Sequence, residues 1–93
     1  MPLYFEWDAK KADTNLAKHA VSFAEATTVF GDRQSLTIPD PAHSQVEDRF
    51  VTIGRSNRRK FLVVVHTERG ENIRIISARP ASKREKSDYE SNT

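Results

Sequence analysis

The spacing of apolar positions divides the chain into eight short segments, five of strand and three of helical character. Leu3–Trp7 ("LYFEW") alternates as a short opening strand does. Asp8 is a good N-cap for "AKKADTNLAKH", where Ala9, Ala12, Leu16 and Ala20 form a narrow apolar stripe, which predicts a helix lying on a sheet. In "VSFAEATTVFGD", Ser22 and Glu25 make a capping box, and Val21 and Ala26 are spaced for a weak hydrophobic staple. Phe23, Ala26, Val29 and Phe30 share a helical face, and Gly31 is the expected residue just past the helix end.

A strand over Ser35–Ile38 is broken by Pro39 and Pro41, and Asp40 to Asp48 reads as an exposed acidic loop. Three strands follow, 49–55, 60–68 and 71–79, joined by "SNRR" and "RG", connections short enough to require antiparallel hairpins. Phe61 to Val65 is apolar on both parities, as in a central strand covered on both faces. Pro80 stops the last strand. Ser82 and Glu85 form another capping box, opening a helix to about Tyr89, with 91–93 expected to fray. The expected architecture is a single α+β domain over 1–93, with helices packed on a small antiparallel sheet in the order β-α-α-β-β-β-β-α.

Composition narrows the classes. A chain of 93 residues that is 37% hydrophobic supports one small core. There is no apolar run long enough to span a membrane, no secretory-type start and no cysteine, so the simplest expectation is a cytoplasmic protein without disulfides or thiolate zinc. The net charge is only +2, but it is unevenly spread. Residues 1–48 hold 4 Lys/Arg against 8 Asp/Glu, and residues 49–93 hold 11 against 5. Such asymmetry points to an anionic partner, often nucleic acid.

The basic residues have places. Arg55, Arg58, Arg59 and Lys60 gather on one hairpin, and Lys83, Arg84 and Lys86 on the last helix extend the same basic surface, suited to phosphate contacts that give affinity rather than sequence choice. Strand parity sets Arg49, Val51, Ile53 and Arg55 on one face, and Ile73, Ile75, Ser77 and Arg79 opposite Arg74, Ile76 and Ala78, unless a bulge or strong twist near the strand end brings Arg74 and Arg79 together. Arg79, at the strand end, is placed either to meet an anionic partner or to form a structural salt bridge with Glu85 or Asp8. His19, at a helix end beside Lys18, carries an imidazole, a side chain able to accept or give a proton, and is a candidate acid or base. His66 is expected to be a packed core residue and His43 to be exposed in its loop. The three histidines lack metal-ligand spacing, so no metal and no cofactor are expected. With no glycine-rich phosphate loop and no nucleophile elbow, the available Arg, Lys, His, Tyr and Glu suit cleavage of RNA, whose own 2′-OH is the nucleophile.

"FEWDAKKADTNLAKHAVSF" with "AEATTVFGD", then "RFVTIGRS", the hairpin and "LVVVHTERGENIRIISARPASKREKSDYE", resemble the BrnT family of type II toxins over about residues 4–90. The most specific pieces are N-x-x-K-H-x-V-S-F (Asn15 to Phe23) and R-I-I-S-A-R-x-A-x-x-x-E-x-x-x-Y (Arg74 to Tyr89). The resemblance implies a RelE-like ribonuclease fold, metal-independent RNA cleavage that arrests growth, and a BrnA-like antitoxin. That antitoxin would carry its own DNA-binding module, form a hetero-oligomer with the toxin and bring it to operator DNA. Carried over by motif position, the functional residues are Lys18, His19, Arg74, Arg79 and Glu85, with Tyr89 as a further candidate; which group is acid and which is base stays open. Ala20 stands where the family usually has a glycine, making a left-handed helix stop costlier by about 1 kcal/mol. Pro80 stands where a basic residue is common. The alternative function is a non-catalytic nucleic-acid- or protein-binding module acting as corepressor with its antitoxin.

Overall fold

The helix starts are where the chain is most strongly punctuated, and the elements begin there. The computed structural model describes residues 3–40 and 48–91. Its elements are β1 (Tyr4–Glu6), α1 (Ala9–His19), α2 (Phe23–Thr28), a 3₁₀ turn (Val29–Gly31), β2 (Leu36–Pro39), β3 (Arg49–Arg55), β4 (Phe61–Arg69), β5 (Asn72–Pro80) and α3 (Lys83–Ser91). Most of the expected 40–48 loop, with His43 in it, lies outside the described residues, as do Asn92 and Thr93. Asp8 caps α1 by accepting from the Lys11 N–H at 2.9 Å. At α3 the capping box is complete: Ser82 Oγ accepts from the Glu85 N–H at 3.2 Å, and Glu85 Oε1 accepts from the Ser82 N–H at 2.8 Å. At α2 only the serine half forms, because the Glu25 carboxylate instead accepts from the buried Ser56 hydroxyl at 2.7 Å. Gly31 does not terminate α2 in a left-handed conformation; it closes the 3₁₀ turn that tightens the helix end.

The expected apolar stripe on α1 is not the face that packs. Leu16 is exposed, and the residues turned inward are Ala12, Asn15 and His19. Asn15 decides the rotation of the helix, for its amide is buried and bonded to the backbone of other elements. Just beyond it Ala20 adopts φ 59°, ψ 28°, and its N–H donates to the Leu16 carbonyl. The left-handed stop is therefore made with an alanine.

The sheet order is β1-β5-β4-β3-β2. The pairs β2–β3, β3–β4 and β4–β5 are antiparallel, as the hairpins require, and β1 adds in parallel to β5, making the whole sheet mixed. The central strand β4 buries Leu62, Val63 and Val64 on its two faces. Against one face pack α1 and α2, with Val21, Phe23, Ala26 and Val29 meeting Leu62, Val64, Ile75 and Ala78. Gly54 permits this closeness: a Cβ there would stand 2.7 Å from Val29 Cγ1. On the other face Tyr89 of α3 covers Ile53 and Val63.

Simple parity fails along β5. Val65 pairs with Ser77 while His66 pairs with Ile75, leaving Ile76 as a bulge. The extra residue returns Ala78 to the face of Ile75, and both are buried in one cluster. Arg74 and Arg79, expected on opposite faces, consequently share the α3 side of the sheet. The β3 parity holds, with Ile53 on the α3 side in company with Arg49, Val51 and Arg55.

His66 is buried between Phe30, at 4.8 Å edge-on, and Phe50, stacked at 5.9 Å, and shares a 2.7 Å hydrogen bond between its Nε2 and the Thr52 hydroxyl. Burial pushes its pKa down to about 4. The unfolded chain therefore binds more protons between pH 6.5 and 4. His66 contributes stability that is fully present above pH 6.5 and lost as pH falls toward 4. Denaturant unfolding at pH 7 and 4.5 should show about 2–3 kcal/mol lost from this group, a loss that His66→Gln removes. A second test concerns Ala20. Ala20→Gly should raise the melting temperature by a few degrees, since relief of the left-handed strain outweighs the added freedom of the unfolded chain; no rise would mean that the alanine is unstrained.

Candidate active site and nucleic-acid interface

Beyond Arg74 no described strand lies beside the outer edge of β5, and α1 takes that place. Asn15 performs the pairing a strand would make. Its Nδ2 donates to the carbonyls of Ala78 at 2.8 Å and Val21 at 2.9 Å, and its Oδ1 accepts from the Ala78 N–H at 3.0 Å. This pin fixes the end of α1, where Lys18 is exposed and His19 half-buried. His19 lies one turn past Asn15, about 6 Å along the axis, and Arg79 is the next residue after Ala78, about 3.3 Å along the strand. Between α1 and the edge of β5 runs an open cleft of about 460 Å³. It is lined by Lys18, His19, Asn15, Thr14, the bulged Ile76 and Ser77, among others. Arg79 lies beyond this lining.

Arg79 makes a bidentate ion pair with Glu85, Nη1 to Oε1 at 2.8 Å and Nη2 to Oε2 at 2.7 Å. Nη1 also donates to the Pro80 carbonyl at 3.3 Å. The Arg79 hydrogen bonds above all, aided by the Ser82 N–H, pull the Glu85 pKa down to about 2, and Glu85 in turn raises that of Arg79. With both oxygens engaged and the group ionised, Glu85 has no proton to give at neutral pH. It holds the guanidinium. Arg74 stands at the other end of β5, about 15 Å away along the strand. Its Nη1 donates to Glu6 Oε2 at 2.7 Å, and this bond, with a weaker one from Asn72, lowers the Glu6 pKa. The bulge thus gives the two arginines one face but not one place.

The other basic residues collect at the Arg79 end. Arg55 pairs across to Phe61, and the Ala81 N–H donates to the Phe61 carbonyl at 2.9 Å, holding the start of α3 beside the β3–β4 hairpin. Arg55, Arg58, Arg59 and Lys60 are exposed there, as are Lys83 and Arg84. The Arg55 guanidinium and the Lys86 ammonium approach the Phe61 ring at 5.3 and 4.7 Å. The hairpin is not a loose arm. Buried Ser56 binds Glu25, the Asn57 N–H donates to Thr28 Oγ1 at 2.9 Å, and the Arg55 N–H donates to Asp32 Oδ2 at 2.9 Å.

Tyr89 is buried, packed edge-on against Phe61 at 5.3 Å, and its hydroxyl donates to Asp32 Oδ2 at 2.7 Å. Burial and this contact raise its pKa. Its place is that of the anchor of α3 rather than of a proton donor. Among the described residues no three His, Asp or Glu side chains converge as metal ligands would. Sequence reasoning passed over Asn15 as a site component. The available signal was its place in the N-x-x-K-H motif, one turn before the histidine.

The model of the family described as "Ribonuclease toxin, BrnT, of type II toxin-antitoxin system" matches residues 7–85. That span takes in Lys18, His19, Arg74 and Arg79 and ends on Glu85. Among solved structures, the 1.1 Å crystal structure of the Brucella abortus ribonuclease toxin BrnT is similar, with a TM-score of 0.69 and 28% identity, covering 88% of this chain and 100% of that one. No curated protein matches the sequence. The matched span and the similar fold agree, and the chain belongs to the BrnT family of ribonuclease toxins of type II toxin-antitoxin systems.

Proposed function

We propose that the chain is an endoribonuclease toxin that cleaves RNA at the junction of α1 and the end of β5, using the substrate's 2′-OH as nucleophile and no metal. The observation that carries this reading is the Asn15 pin, which holds Lys18 and His19 one helical turn from the backbone that presents Arg79. A base takes the 2′-OH proton, O2′ attacks phosphorus, the P–O5′ bond breaks and O5′ is protonated, leaving a 2′,3′-cyclic phosphate and a 5′-OH end. His19 is the proton-transfer group. Arg79 faces the charge that develops on the phosphoryl oxygens, and Lys18 adds to the local field. Glu85, chosen from sequence as catalytic, is a positioning residue that orients the Arg79 fork. Arg74 serves a neighbouring phosphate rather than the reacting one. Arg55, Arg58, Arg59, Lys83 and Arg84 hold the strand on either side.

Membership in this family implies an antitoxin partner. We take it to be BrnA-like, with its own DNA-binding module, and operator DNA to be reached only through the hetero-oligomer. No described helix is long and apolar enough to cross a membrane. The reading places the toxin in the cytoplasm, where its RNA is.

The test is expression of the chain alone, together with cleavage of RNA by purified protein in EDTA. Wild type should arrest growth and leave cyclic phosphate ends. His19→Ala and Arg79→Ala should each lower kcat by about 10²–10³-fold. Wild type that does neither sinks the ribonuclease reading. Wild type that arrests growth while both variants stay fully toxic sinks the site assignment alone. Glu85→Gln separates positioning from acid catalysis. It should lower kcat by about tenfold and leave the alkaline limb of the pH–rate profile in place, whereas loss of that limb would make Glu85 the acid.

A further inference from the structure

The tip of the β3–β4 hairpin holds an arginine in a conformation that favours glycine. The Arg59 N–H donates to the Ser56 carbonyl at 2.9 Å and the Ser56 N–H to the Lys60 carbonyl at 2.8 Å, enclosing a three-residue loop of Asn57, Arg58 and Arg59. In such loops a type I turn is followed by a left-handed residue, usually glycine. Here that residue is Arg59, at φ 62°. At Ala20 the same conformation serves a helix stop and the side chain is only a methyl group, but at Arg59 it carries a long cation, and such outliers cluster at ligand-binding sites. Among the described residues nothing gives that cation a structural task. Arg59 is exposed, and among the described residues no carboxylate pairs with it or with Arg58 and Lys60. The turn itself is firmly built, since the buried Ser56 hydroxyl binds Glu25 and accepts from the Arg58 and Lys60 N–H groups at 3.2 and 3.3 Å.

We infer that Arg59 is an RNA-binding residue whose left-handed backbone aims a preorganised basic turn at substrate phosphates flanking the Arg79 site. This rests on the ribonuclease reading and deepens it. Two features favour RNA as the partner. The turn stands at the Arg79 end of the sheet, joined to the start of α3 through the Ala81–Phe61 bond, so a strand reacting near Arg79 passes beside it. The turn is also pinned at Ser56, Asn57 and Arg55, so its backbone need not be ordered on binding and only the exposed side chains lose freedom on meeting a phosphate.

The experiment compares wild type, Arg59→Gly and Arg59→Lys, by thermal melting and by binding to a labelled, uncleavable 2′-O-methyl RNA over a salt series. A poly-glutamate peptide serves as the acidic-protein probe. Arg59→Gly should melt no lower than wild type yet bind the RNA three- to tenfold more weakly, with the slope of log K against log salt reduced by about 0.7. Arg59→Lys should keep the slope. Equal RNA binding by wild type and Arg59→Gly overturns the inference. So does a melting temperature several degrees lower, which would make Arg59 structural, and so does weakened binding of poly-glutamate alone. Wild type that binds the 2′-O-methyl RNA but leaves unmodified RNA intact sinks the catalytic reading and leaves this inference standing. Wild type that binds neither form sinks both.

Discussion

One buried amide holds the arrangement together. β5 runs for nine residues, but among the described residues its outer side is paired only over Asn72–Arg74. The backbone farther along would be covered by α1 with its polar groups unpaired, a loss of about 1–3 kcal/mol for each. Asparagine resolves this because its side chain carries the same donor and acceptor as a peptide group. Asn15 therefore substitutes for a missing strand and ties in Val21, the residue before the α2 cap, as well. The rest of α1 follows. With Asn15 inward Leu16 must face out, and His19, one turn on, comes to lie against the sheet edge. Ala20 then turns the chain sharply into α2 at the expense of a left-handed alanine.

The second constraint is the bulge at Ile76. A regular β5 could not keep both Ile73 and Ala78 against α1 and α2, because an odd separation sends them to opposite faces. The inserted residue resolves the conflict, and the arginines follow passively to the α3 side. α3 has little apolar surface with which to hold itself there. It is fastened by Tyr89, in the niche of Phe61 and Asp32, and by the Glu85–Arg79 pair. Asp32 is the shared post. Burial opposes its charge, but donors from Arg55, Gln34 and Tyr89 outweigh that and keep its pKa below the usual range. The basic hairpin and α3 are thus tied to one carboxylate.

What the sequence disclosed is what depends on local chemistry. Caps at Asp8, Ser22 and Ser82, the doubly apolar β4 and the short hairpin connections set the element order and the antiparallel core. The motif resemblance pointed to the family, and of the residues it named Lys18, His19 and Arg79 lie about the α1–β5 junction whereas Arg74 lies at the other end of β5. Three features could not be decided from the sequence, because each is a tertiary response to a local rule. The inward face of α1 is set by a hydrogen-bonding asparagine, which apolar periodicity ignores. The Arg74–Arg79 relation turns on a bulge that exists only once two strands pair. Glu85 has the residue type both of a catalytic acid and of a salt-bridge partner for Arg79, and the bidentate geometry shows its carboxylate committed to the second.

That commitment does not disable Arg79. A guanidinium has five N–H donors in one plane. Glu85 takes two, and the Pro80 carbonyl takes a third through a longer contact. The side chain is still 44% exposed, and two donors remain to meet a phosphate without breaking the pair. Pairing also narrows what the arginine can do. Its far field is largely cancelled by the carboxylate, so it draws in little substrate from a distance. Its near field acts through fixed, directed hydrogen bonds, the kind that stabilises a localised charge without reorganising. Under the proposed ribonuclease function, capture of a polyanion falls to cations without such a neighbour among the described residues, at the hairpin tip and along the first turn of α3. The division we propose follows from charge placement: the cations at the rim would gather the strand, and the paired, oriented Arg79 at the junction would meet its reacting phosphate.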